Sequence, residues 1–300
     1  MINDRLIDAG ELPLAVRDFG GDAPPLLLLH GAGGNLAHMT TLARALRPHH
    51  RVITMDLRGH GRSGDGPWTW DAALGDLAAV SVQMELDRPA VVGHSLGGIL
   101  AALWGQRHPE TPGVVSLDGT PPPTRSDQLP GLDPQKAEAE LARLHAIFDQ
   151  MAAMAGAVIE ADQLPDLVER QQMEARDMGA NEKVWIEGFR RNLVHDNGVT
   201  WTRPSAATAA QLRTLINELD LGPVYAATAC PELVVLPTRD LPEQEPFADL
   251  YAAYRRYVVD QAASAGNIRY LSLADASHAM VIEQPTVLAG LITDFLSGTR

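Results

Sequence analysis

The chain has 300 residues, 45% of them hydrophobic and 21% charged, the balance of a soluble globular protein with enough apolar material for a substantial core. Its formal charge of −14 opposes attraction to nucleic acid or to anionic membranes, both of which need clustered Lys and Arg. Met1 to Glu11 carries acidic residues and no apolar run of the kind a secretory leader needs, and no segment is apolar for long enough to span a bilayer, so the expectation is a cytoplasmic protein. The single cysteine, Cys230, beside Pro231 at the start of an apolar run, reads as structural.

In chain order, Arg5 to Asp8 and Leu14 to Phe19 read as an antiparallel hairpin. Short leucine-rich or β-branched runs follow at Leu26 to Leu29, Arg51 to Met55, Ala90 to Val92 and Gly113 to Leu117. They resume at Glu232 to Leu236 and Ile268 to Leu273. Helix-period segments lie between most of them, at Met39 to Leu46, Asp71 to Leu86, Leu96 to Arg107 and Phe247 to Ala263. This alternation predicts a parallel sheet covered on both faces. It fails between Pro121 and Ala227, where three prolines lead into a helix-rich block through Lys136 to Met154 and Leu164 to Met178, with a turn at Asp196, Asn197 and Gly198. The expected division is a core of residues 1–120 and 228–300 with an inserted helical lid of residues 121–227.

The strongest chemical signal is Gly93-His94-Ser95-Leu96-Gly97, a GxSxG sequence between a predicted strand and a predicted helix. A serine on so tight a turn presents its hydroxyl at a helix N-terminus, where backbone N–H groups and the helix dipole favour the negative charge of an attacked acyl carbonyl. The competing reading makes Ser95 a helix cap between packing glycines. His30-Gly31-Ala32-Gly33-Gly34-Asn35 follows the first leucine-rich strand and offers a second oxyanion donor. The Ala32 N–H is chosen to pair with that of Leu96, with Gly33 as the fallback. A phosphate loop is disfavoured, because neither a GK[ST] ending nor a GxGxxG spacing is present. In Asp56-Leu57-Arg58-Gly59-His60-Gly61-Arg62-Ser63-Gly64 the turn chemistry reads as structural, His60 included.

A serine nucleophile needs a base, and a nucleophile elbow orders the three groups as serine, acid, histidine along the chain. His108 ends a helix, and His145 and His195 lie in the inserted block; His278 directly follows the final predicted strand and is the expected general base. Two carboxylates end strands in between. Asp240 is preferred as the acid because its strand should neighbour that of His278, with Asp118 as the alternative.

HGAGGN, DLRGHGRSG, GHSLGG and the late SHAMVIEQP together resemble the α/β-hydrolase superfamily, in particular its capped serine-hydrolase members. The resemblance implies a mostly parallel eight-stranded sheet flanked by helices, a serine nucleophile, and oxyanion donors at Ala32 and Leu96. The superfamily's acid usually closes a GxxD pattern, and here Pro237 replaces that glycine in Pro237-Thr238-Arg239-Asp240. The Asn-Gly turn and Trp201 are similar to the end of many such lids.

The expected activity is hydrolysis of a small-molecule carboxylic ester or related acyl compound through an acyl-enzyme on Ser95. The rival readings are a carbon–carbon bond hydrolase acting on a diketone and a non-catalytic ligand-binding member of the fold. No cofactor, no metal, no nucleic acid and no membrane partner is expected, and the oligomeric state is open. Met151, Met154, Trp185 and Phe189 are candidate apolar walls of the lid, at a spacing that suits ordinary helix packing equally well.

Overall fold

The computed structural model describes residues 4–263 and 265–298. The predicted hairpin forms from β1 (Asp4–Asp8) and β2 (Pro13–Asp18) and lies antiparallel at one edge of the sheet. Next come β3 (Pro25–Leu29), α1 (Thr40–Leu46), β4 (Arg51–Met55), α2 (Trp70–Gln83), β5 (Ala90–His94), α3 (Leu96–Arg107) and β6 (Val114–Leu117), in the predicted alternation. The sheet has eight strands, and its last two are β10 (Glu232–Pro237) and β11 (Ile268–Leu273), giving the order β1-β2-β4-β3-β5-β6-β10-β11. From β4 to β11 every pairing is parallel.

Side-chain alternation divides the core into two layers. Leu27, Leu29, Val91, Val114, Val234 and Leu236 join one cluster with α2, α3 and α9 (Ala248–Ala263). Leu26, Leu28, Val92, Val115, Leu233 and Val235 join a second with α1 and the C-terminal helices α10 (Met280–Glu283) and α11 (Pro285–Ser297). Strands buried on both faces must be apolar at consecutive positions, which is why unbroken runs rather than alternating ones marked them in the sequence.

The segment between β6 and β10 holds α4 (Pro134–Met154), β7 (Val158–Ile159), α5 (Leu164–Asp177), α6 (Glu182–Arg191), β8 (Leu193–Asp196), β9 (Val199–Thr202), α7 (Ala206–Glu218) and α8 (Leu221–Ala227). Four of these helices, α5 being the exception, start at a side-chain cap. The Asp133 carboxylate accepts from the Gln135 and Lys136 N–H groups, Asn181 caps α6, Ser205 caps α7 and Asp220 caps α8. Beside the expected helices the block carries a small antiparallel sheet, β7-β9-β8. Asn197 and Gly198 both have positive φ, 49° and 79°, which is what a two-residue hairpin turn demands.

Arginines fasten this segment to the sheet. The side chain of Arg191, 2% exposed, reaches both Asp56 oxygens from Nε at 3.1 and 2.8 Å and pairs with Asp4 through its second arm. Arg17 bridges Asp4, at 2.6 Å, and Glu187 on α6. Asn35 Nδ2 donates to the Gly188 carbonyl at 2.8 Å and to Asn192 Oδ1 at 2.9 Å, and Asn192 returns a bond to the Gly33 carbonyl at 2.8 Å. Arg203 donates to the Ser63 carbonyl at 2.6 Å. These contacts join α6 and its flanks to the loops after β3 and β4, at the carboxyl edge of the sheet.

Removing one partner of a buried ion pair leaves the other charge uncompensated. Arg191→Ala should therefore lower stability by about 3 kcal/mol or more in urea unfolding. Arg191→Lys should recover only part of the loss, because a point charge cannot feed two carboxylates from a rigid fork.

Candidate active site

The turn between β5 and α3 holds Ser95 at φ 53° and ψ −118°, a conformation that a residue with a side chain adopts only when its surroundings impose it. The Ser95 N–H donates to the Leu117 carbonyl on β6 at 2.9 Å, and its own carbonyl accepts from the Gly98 and Ile99 N–H groups, starting α3. Glycine is compulsory on both sides. A Cβ at Gly93 would stand 2.0 Å from the Gly97 carbonyl oxygen, and one at Gly97 would stand 2.6 Å from that of Leu29. The helix can begin directly at the end of the strand only because neither atom is there.

Leu96 is the first residue of α3, so its N–H belongs to the first turn, where backbone donors have no partner within the helix. The loop after β3 lies against the turn. A Cβ on Gly31 would come within 3.0 Å of Ser95 Cβ and 3.5 Å of its Oγ. Ala32 follows directly and is exposed, whereas the Gly33 N–H is committed to His60 Nε2 at 3.2 Å, which removes the fallback donor from consideration.

His278 sits in the loop after β11. That loop is pinned from several sides: the Thr238 and Arg239 N–H groups donate to the Ala276 carbonyl, at 3.1 and 3.0 Å, and Glu283 accepts from both the Ser277 N–H (2.7 Å) and hydroxyl (2.9 Å). The His278 Nδ1–H donates to Asp118 Oδ2 at 2.6 Å. The preference for Asp240 is thereby corrected. Its strand does adjoin that of His278, but Asp240 lies three residues past the end of β10 and pairs with Arg255 on α9 at 2.7 Å. Asp118 directly follows β6, the strand next to β5, and His94 is paired with Leu117 in that register, so Ser95 and Asp118 leave the sheet side by side. Like Ser95, Asp118 has a positive φ, 47°.

Burial alone would lower the His278 pKa, yet the hydrogen bond it donates to Asp118 and the negative charge there prevail and hold it above the usual 6.5. With Nδ1–H engaged by a carboxylate, Nε2 is left as the basic nitrogen, the arrangement that lets an imidazole take a proton from a hydroxyl and return it to a leaving group.

The surrounding histidines behave differently. His30 donates from Nδ1 to the Gly31 carbonyl at 2.7 Å and accepts at Nε2 from the Leu57 N–H at 3.0 Å. His60 likewise donates to the Arg58 carbonyl at 2.9 Å while accepting from Gly33. Burial holds His60 at about 4 and pushes His30 well below its ordinary value, so both are neutral struts between loops. His94 donates from Nε2 to the His278 carbonyl at 2.7 Å. Sequence reasoning assigned roles to neither His30 nor His94, nor to Glu283. For His94, its place beside Ser95 was the available signal.

Met151 and Met154, candidates for an apolar wall, are 61% and 67% exposed on α4. Trp185 is partly buried, stands edge-on to His38 and donates to Gln171 at 2.9 Å, and Phe189 is partly buried on α6. Among the described residues no group of three or more His, Cys, Asp or Glu is placed to hold a metal ion, and no helix is long and apolar enough to cross a membrane.

The sequence model of the α/β hydrolase family matches residues 26–291, a span that takes in the Ser95 turn, Asp118 and His278. The chain is an α/β hydrolase. Among α/β hydrolases of known name it is 36% identical over 105 residues to the sn-1-specific diacylglycerol lipase ABHD11 of Xenopus laevis, a match covering 34% of each chain. It is 32% identical over 111 residues to the pimeloyl-[acyl-carrier protein] methyl ester esterase of Yersinia enterocolitica, covering 37% of this chain and 42% of the esterase. The chain thus matches under half the length of these curated relatives. Of solved structures, E-2-(acetamidomethylene)succinate hydrolase superposes over 99% of this α/β hydrolase and 100% of its own chain, with a TM-score of 0.74 and 21% identity, which speaks to the fold.

Because the raised His278 pKa comes from Asp118, an NMR titration of the His278 ring should show a midpoint above 6.5 in the native protein and a lower one in Asp118→Asn. A histidine pKa raised by folding adds stability that is complete below about 6.5 and fades as pH rises through the folded value. The Asp118→Asn variant should therefore lose more stability at pH 6 than at pH 9.

Proposed function

We propose that this α/β hydrolase is a serine esterase that cleaves a small-molecule carboxylic ester or related acyl compound. The observation that carries the reading is the 2.6 Å bond from His278 Nδ1 to Asp118, which leaves the sheet on the strand next to that of Ser95, a serine held in a strained turn at a helix N-terminus. The names of the relatives, an sn-1-specific diacylglycerol lipase and a methyl ester esterase, favour ester bonds over other acyl linkages.

In this reading His278 Nε2 removes the Ser95 hydroxyl proton as Oγ bonds to the acyl carbon. The Leu96 and Ala32 N–H groups stabilise the resulting oxyanion. Collapse of the tetrahedral species expels the alcohol, which takes its proton from the His278 imidazolium. Asp118 remains ionised throughout, fixing the tautomer and stabilising the imidazolium. Water activated by the same imidazole then releases the acid. The chemistry asks for no metal or cofactor. Residues 121–227 act as a lid over this edge, anchored through Arg191, Arg203 and the Asn35–Asn192 pair.

A fluorophosphonate probe tests the reading directly: it should label the native chain and fail to label Ser95→Ala. Hydrolysis of short p-nitrophenyl esters should fall by about 10⁴-fold or more in Ser95→Ala and by about 10²- to 10⁴-fold in Asp118→Asn. Asp240→Asn should stay within about threefold of native, since losing one partly exposed ion pair has a small effect. Equal labelling of native and Ser95→Ala would refute the nucleophile, and a large loss confined to Asp240→Asn would refute the acid.

A further inference from the structure

His94 lies inside the GxSxG sequence, yet the chemistry above gives its side chain no task. Its Nε2–H donates to the main-chain carbonyl of His278 at 2.7 Å, across 184 positions of sequence. Its ring packs on the His278 ring with centroids 4.7 Å apart and planes inclined by 44°. On its other side, a Cβ at Gly31 would come within 3.3 Å of Nδ1, so the glycine loop leaves room for the imidazole as well as for Ser95. We propose that His94 is a positioning residue for the esterase reaction, whose bond to the His278 carbonyl ties the chain carrying the nucleophile to the chain carrying the base. This rests on the reading of Ser95 and His278 as nucleophile and base.

The ties already described hold the residues around His278: Ala276 through its carbonyl, Ser277 through Glu283, and the His278 ring through Asp118. The His278 carbonyl is held by His94. His94 adjoins Ser95 along the chain, so this single bond is a very short protein path between the two reacting groups. Small misplacement of reacting groups carries large rate penalties, which gives such a path kinetic weight.

Imidazole suits the task for an electrostatic reason. Loss of hydration, with the nearby His278 adding to it, lowers the His94 pKa to about 3. The ring therefore stays uncharged over the working range, with its one proton on Nε2 where the carbonyl needs it. A cation in the same place would push the pKa of the neighbouring His278 down and weaken it as a base. His94 thus donates as a permanent neutral group while the adjacent imidazole carries the proton traffic.

Two variants of matched length separate the hydrogen bond from simple space filling. His94→Gln retains an N–H donor at similar reach, and His94→Met has none. With a p-nitrophenyl ester, His94→Met should lose about tenfold or more in kcat while KM stays within about threefold, and His94→Gln should recover most of that loss. The acid limb of the pH profile should persist in His94→Gln, because it belongs to His278. In the absence of substrate, the proton NMR signal of His278 Nδ1–H should survive in His94→Gln and be lost to solvent exchange in His94→Met. Native kcat in His94→Met, or equal losses in the two variants, overturns the proposal. Disappearance of the acid limb in His94→Gln also overturns it, since His94 would then be the titrating base. If the native chain neither hydrolyses esters nor labels with fluorophosphonate, the esterase reading fails separately. The NMR pair then decides alone, with survival of the signal in His94→Met counting against the proposal. His94→Leu serves as the donor-free side chain if His94→Met does not fold.

Discussion

The backbone at Ser95 is the constraint around which this carboxyl edge is built. A side chain at φ 53° is held there only by over-determination, and the sources are visible: a bond from its N–H to Leu117, two helix-starting bonds to its carbonyl, and glycines at 93 and 97 that let strand, helix and the Leu29 carbonyl approach within contact distance. The geometry links three neighbouring strands. Each supplies one part: β3 leads into the Gly31 loop, β5 ends at the Ser95 turn, and β6 ends at Asp118. A shift of any one strand by a residue would separate them, because strand register sets which residue leaves the sheet at this edge.

The segment between β6 and β10 joins the sheet through apolar packing, with Leu141, Leu144, Leu212 and Tyr225 in the same cluster as Val91 and Val234, and meets the carboxyl edge through charge. Asp56 is fully buried and accepts from the Leu36 N–H, the Arg62 N–H and Arg191, so one carboxylate orders the loop after β3, the loop after β4 and helix α6 together. A Cβ on Gly61 would sit 2.3 Å from the same carboxylate, which explains a glycine at φ 50° in that turn. A joint of this kind fixes orientation more than it adds stability, because the cost of drying the charges offsets most of their attraction.

The core strands were legible in the sequence because parallel strands buried on both faces leave unbroken apolar runs, and the Ser95 turn was legible because its glycines are imposed by contact. The small sheet of the inserted segment was not, since β7 is two residues long and β8 and β9 are four residues each with no buried position to set a pattern. The acid was misjudged for a geometric reason. Adjacency of β10 to β11 is real, but the carboxylate also has to leave its strand level with the elbow, and three residues of loop turn Asp240 toward Arg255 instead. Proline in place of glycine at 237 was the local sign of that divergence. The bond made by His94 was not legible beyond the residue's place next to Ser95, because its partner is a main-chain oxygen far along the chain.

The neutral imidazoles have a consequence for the molecule as a whole. His30, His38, His60 and His94 all take up protons less readily in the folded chain than in an unfolded one, through loss of hydration. At these four positions the unfolded chain binds more protons than the native one between about pH 6.5 and pH 4, and each draws the equilibrium toward unfolding. His278 pulls the other way, and so does Glu232, whose carboxyl is pushed up to about 8 by burial. Acid therefore works against the four imidazoles while relieving the buried carboxyl at the start of β10, so the two ends of the sheet answer a change of pH in opposite senses.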